Sequence, residues 1–143
     1  MDLGVSHLVA FLVGALTGAA GQYLGDKYSD RRREKEAARR TLKSFRQIAA
    51  KMPALLREMR DDLLNDSTDT VREFFVLPNK RVSLGGSTKR RFTYFESEHE
   101  GLREKLDLLE QEGFIVDVTP NNTPLYRMNE HFVSFLRTEL KAS

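Results

Sequence analysis

The chain has 143 residues, room for one modest domain or for an anchor and a smaller one. It contains no cysteine, which excludes disulfides, thiol catalysis and thiolate metal sites. Its formal net charge of +2 marks neither a strongly acidic nor a strongly basic protein, so the placement of charge is more informative than its total.

Residues 3 to 25 carry no Asp, Glu, Lys or Arg, although charged residues make up 31% of the chain. A helix of that length rises roughly 34 Å, enough for a hydrocarbon core of about 30 Å. Its Leu, Val and Phe are spread all round, which leaves no polar face for a surface helix. A cleaved signal peptide would want a positive start, but the chain begins Met1-Asp2. The block therefore predicts a transmembrane anchor over 1–25. Gly14, Gly18, Gly21 and Gly25 nearly line one side, a face that lets two membrane helices approach closely.

Lys27, Arg31, Arg32, Arg33, Lys35, Arg39 and Arg40 follow. By the positive-inside rule this flank stays in the cytosol and the N-terminus faces outward. The expected location is the inner membrane of a bacterium, single-pass, with a cytoplasmic C-terminal domain. Lys27, Arg31, Arg32, Arg33, Arg39 and Arg40 are the candidates for facing lipid headgroups.

A helical stalk is expected over 26–66. Leu42, Phe45, Ala49, Met52, Leu56, Met59 and Leu63 follow the alternating three-and-four spacing of a heptad seam. The stripe can pack on the protein's own domain or on a second copy as a coiled coil. Pro53 splits it, and proline is comfortable as the first residue of the second piece. Asn65 to Asp69 reads as a linker.

The domain over 71–143 is expected to be α+β. Residues 73 to 78 read as a strand ended by Pro78. Residues 80–84 and 90–95 flank Gly85-Gly86-Ser87 and predict a β-hairpin. Lys80, Arg81, Lys89, Arg90 and Arg91 cluster around it as polyanion-binding candidates. Ser97 and Glu100 form a capping box for a helix over 98–112 with Leu102, Leu106 and Leu109 on one face. Gly113 stops that helix in a left-handed conformation. A strand over 114–118, a turn over 119–124, a returning strand over 125–128 and a last helix capped by Asn129 complete the chain.

The run from Leu102 to Leu136 resembles the second half of a winged-helix domain: a leucine-spaced helix ending in glycine, a two-stranded wing, and a C-terminal helix. The resemblance covers about residues 97–141 and implies DNA binding by the helix before the wing. That helix, however, carries Glu98, Glu100, Glu104, Asp107, Glu110 and Glu112 against Arg103 and Lys105. Phosphate contacts want cations, so a winged-helix scaffold used for protein contact is the expected reading, with Arg103, Glu104 and Asp107 on the partner face.

No phosphate loop, His-Glu-x-x-His or Gly-x-Ser-x-Gly occurs, and His7, His99 and His131 lie in no metal-ligand spacing. The residues therefore predict a non-enzyme without metal or cofactor. The expected function is a membrane-anchored module that recruits or senses a protein partner. The alternatives are a membrane-tethered nucleic-acid-binding regulator and a self-assembling structural membrane protein; a homo-oligomer fits several of these.

Overall fold

The first helix, α1, runs without a break from Asp2 to Lys51. A computed structural model describes the backbone of residues 2–82, 84–85 and 89–140, and side chains from residue 21 onward. Two compact units divide at Thr41 and Leu42, the second comprising Leu42–Ser143.

The membrane anchor is corrected. Among the described residues no helix is long and apolar enough to cross a membrane. Of the expected span only residues 21–25 have described side chains, and the helix that continues from them is highly charged. Residues 21–40 are exposed, and beyond Gly25 they alternate cations with Asp26, Asp30, Glu34 and Glu36, a charge density that hydrocarbon does not accept. The single-pass topology, the outward N-terminus and the inner-membrane location fall with it. Gly14 and Gly18 of the expected glycine face, and His7, lie outside the residues whose side chains are described; Gly21 and Gly25 are exposed with open space around them. Lys27, Arg31, Arg32, Arg33, Arg39 and Arg40 are exposed on α1.

Pro53 opens the second helix, α2 (Pro53–Asn65), with Met52 between the two as its non-helical N-cap. Proline at N1 gives up only an N–H that the helix could not use. The heptad stripe turns inward: Phe45, Met52, Leu56, Met59 and Leu63 are buried in one hydrophobic cluster with Ile48 and Leu55. In this chain the seam is thus an internal face, and part of the expected stalk belongs to the domain core. Phe45 meets Phe114 edge-on at 5.9 Å and Phe132 at 6.1 Å.

Four strands follow, β1 (Glu73–Leu77), β2 (Phe92–Phe95), β3 (Ile115–Asp117) and β4 (Leu125–Met128), with α3 (Leu102–Gln111) before β3 and α4 (Glu130–Thr138) at the end. They form one sheet in the order β2-β1-β4-β3. β4 pairs antiparallel with both β1 and β3, whereas β1 and β2 run parallel. The expected hairpin over 80–95 is therefore corrected. Parallel neighbours cannot be joined by a tight turn, so residues 78–91 are a crossover, and Lys80 to Val82 lie in turn and coil rather than strand. Gly86 and Ser87 of the expected turn lie outside the described residues.

The capping box is corrected as well. Residues 96–101 form turns, and α3 begins only at Leu102, after Gly101 in the left-handed region at φ 64°. Gly113 takes φ 75°, and the Phe114 N–H reaches back to the Leu109 carbonyl at 2.9 Å, closing the helix end. The Asn129 side chain accepts the Phe132 N–H at 2.7 Å and caps α4. Leu102, Leu106 and Leu109 of α3 join Phe132, Val133 and Leu136 of α4 in the core.

Candidate interaction surface

With its apolar face buried, α3 leaves Arg103, Glu104, Asp107 and Glu110 exposed. β3 and β4 continue this surface, because Asp117 and Tyr126 are direct cross-strand neighbours. The Glu110 carboxylate accepts the Asp117 N–H at 3.3 Å and covers part of the free edge of β3. Tyr126 stacks on buried Phe74 at 5.5 Å with a 22° tilt and is itself half-buried. Burial pushes its phenol up, and Asp117, Glu110 and Asp107 push it further, against Arg103. Asp117, the cross-strand neighbour of Tyr126, and Glu110, which is bonded to Asp117, thus put carboxylates on the surface that carries this ring. Arg103 is tied to Glu96 at 2.7 Å.

The basic residues singled out from the sequence are divided among several places. Lys80 pairs with Glu98 at 2.6 Å and sits over the Phe95 ring. Lys89 and Arg91 both donate to Glu73, at 3.1 and 2.9 Å. Arg127, from the opposite neighbour strand, completes this arrangement at 2.8 Å. Arg91 also lies over the Phe75 ring at 5.2 Å. Arg81 and Arg90 are exposed, and neither side chain has a partner among the described residues.

Glu73 is the centre of this second cluster and is only 5% exposed. Burial raises its carboxyl, but hydrogen bonds from Arg127, Arg91 and Lys89 outweigh that and hold it down at about 2. The strand register explains the meeting: Arg127 is the cross-strand partner of Glu73 on β4, and Arg91 immediately precedes Phe92, the partner of Phe74. A buried carboxylate thus draws three cations that a polyanion would otherwise meet.

A third polar group lies between α2 and the turn after β2. His99 is buried with its Nε2 against Glu58. The Tyr94 hydroxyl is buried without a hydrogen bond of ordinary geometry among the described residues. It lies near Asp62, and burial, then Asp62, raise its phenol. Burial likewise raises the Asp62 carboxyl. His131 is exposed on α4. Among the described residues no group of three His, Cys, Asp or Glu is placed to hold a metal ion.

Sequence reasoning placed Arg103, Glu104 and Asp107 together, with Glu110 on the same helix, but missed Asp117 and Tyr126, which reach the same surface through strand pairing. It also read Glu73 as an ordinary strand residue. A carboxylate next to the apolar run FFVL was the one available signal. Comparison with known proteins gave no match to a family, to a curated relative or to a solved structure.

Proposed function

We propose that this chain is a non-enzymatic protein-interaction module that offers the surface of α3, β3 and β4 to a basic partner. The observation that carries this reading is the placement of half-buried Tyr126 beside its cross-strand neighbour Asp117, which is bonded to Glu110 on the exposed acidic face of α3. Tyrosine supplies a rigid, amphipathic anchor of the kind that dominates interface energetics. The surrounding carboxylates favour Lys- or Arg-rich partners and speed their encounter. The same charge disfavours DNA, whose phosphates need cations opposite them. The helix, the antiparallel β3–β4 pair and the closing α4 support a winged-helix-like scaffold turned to protein contact.

The test uses the full chain and the double variant Glu104→Lys/Asp107→Lys. Both positions are exposed, so the melting curve should stay close to wild type. Binding to a Lys/Arg-rich peptide should be measured against a scrambled-charge control and, in parallel, against unrelated DNA duplexes over a salt series. The double variant should bind the basic peptide at least about tenfold more weakly, a loss of about 1.4 kcal/mol. Tight, sequence-selective DNA binding that survives physiological salt and depends on α3 would overturn the proposal.

A further inference from the structure

The two ends of the sheet are treated differently. At one end, the outer side of β3 is partly covered by α3, whose Glu110 accepts the Asp117 N–H. At the other end, β2 pairs with β1 on one side and with no other strand among the described residues. The Glu96 N–H bonds to the Leu77 carbonyl at 2.9 Å, so Tyr94 and Phe92, in alternation, also point their backbone groups toward β1. Thr93 and Phe95 therefore direct theirs away from the sheet. The Phe95 carbonyl is taken by the Glu98 N–H at 3.0 Å, but the Thr93 N–H and carbonyl and the Phe95 N–H have no partner among the described residues. An open strand edge is a template for another strand.

Charge decides which strand fits. Arg90 precedes β2, and Glu96, held by Arg103 through one carboxylate oxygen, follows it; of the other charges there, Lys89 and Arg91 are engaged by Glu73 and Glu98 by Lys80. A strand that is basic at its start and acidic at its end is complementary to itself when reversed. We propose that two copies of this chain pair antiparallel through the free edges of β2, around a two-fold axis at Thr93, into a continuous eight-stranded sheet. In that register Thr93 of one copy exchanges hydrogen bonds with Thr93 of the other. The Phe95 N–H reaches the Arg91 carbonyl of the second copy, and Arg90 falls opposite Glu96 of the second copy. The interface is isologous, so each of these contacts except the central one occurs twice. Arg90 has no side-chain partner in its own chain among the described residues, which leaves it available. This edge meets the α3 face only through the Glu96–Arg103 pair, and Thr93→Pro and Arg90→Glu leave that pair intact, so either reading can fail without the other.

Sedimentation equilibrium on the full chain over a concentration series tests the proposal. The wild type should show a reversible dimer. Thr93→Pro removes only an outward N–H, which proline tolerates on a sheet edge, and should raise the dimer dissociation constant at least about tenfold. Arg90→Glu places two like-charge pairs in the interface and should weaken it similarly, while Arg90→Glu/Glu96→Arg restores the pairs and should recover wild-type dimerisation. Far-ultraviolet circular dichroism checks that each variant is folded; if Thr93→Pro is not, the two charge variants decide. A wild type that stays monomeric up to about 1 mM overturns the proposal. So does a dimer indifferent to Arg90→Glu, or one that the double exchange fails to recover.

Discussion

Replacing Glu73 by Gln keeps the shape of the side chain and removes its charge. Glu73 is 5% exposed, and its three cations differ in exposure: the Lys89 and Arg127 side chains are 63% and 56% exposed, that of Arg91 only 20%. Lowering the Glu73 carboxyl from 4.5 to about 2 corresponds to roughly 3 kcal/mol of preference for the charged form. Lys89 and Arg127 can return to water when the carboxylate is lost, so screening reduces this to about 2 kcal/mol. Most of that cost falls on Arg91, the least exposed of the three cations. Urea unfolding of the full chain, followed by near-ultraviolet circular dichroism of the tyrosines, should show Glu73→Gln shifted down by more than about 1 M near neutral pH. The sign of the pH dependence follows from the direction of the shift. A carboxyl depressed in the folded state stabilises above its unfolded value, and this stability is lost as pH falls from about 4.5 toward about 2. The gap between wild type and Glu73→Gln should therefore close over that window. Asp66 and Asp69 also have lowered values, but they are common to both proteins and cancel in the difference. A gap below about 0.5 kcal/mol at neutral pH, or one that stays constant down to acid pH, would refute the reasoning.

Three further perturbations test the fold. Gly113→Val should destabilise by about 1 to 2 kcal/mol, because the cost lies in its φ of 75° and the space around its Cα is open; Gly113→Asn should cost less, and equal urea midpoints for Val, Asn and wild type would show the position to be ordinary. Phe45→Ala should cost about 3 to 5 kcal/mol, since that ring meets Phe114, Phe132 and Phe135; the same unfolding curves measure it, and a loss no larger than a surface substitution would detach the end of α1 from the core. Asn129→Ala should cost about 1 kcal/mol through the lost cap of α4, with hydrogen exchange at Phe132 as the local readout; unchanged protection there would show the cap to be idle.

The features legible in the sequence are those whose cause is local. Pro53 divides two helices because proline suits a first turn and not an interior one, and α2 starts there. Gly113 ends a helix because glycine enters the left-handed region without a Cβ penalty, and Asn129 caps α4 through an N–H three residues on. The heptad stripe announced a buried face, but spacing is the same whether a stripe meets its own domain or a second copy. Only the tertiary structure put Phe45, Met52 and Leu56 into the domain core. The residues around Gly85 alternate as a hairpin would, because period two records that a strand is half-buried and not which way it runs. The direction of β2 was settled by topology: β4 occupies one edge of β1, and β2 takes the other in parallel. The same long-range pairing made the charge clusters. Arg127 reaches Glu73 from 54 residues away, and Asp117 and Tyr126 meet the acidic face of α3 only once β3 and β4 are in register. Backbone conformation and capping are decided within one turn of chain, whereas strand order and the neighbours of a charge are decided by contacts that no short window of sequence contains.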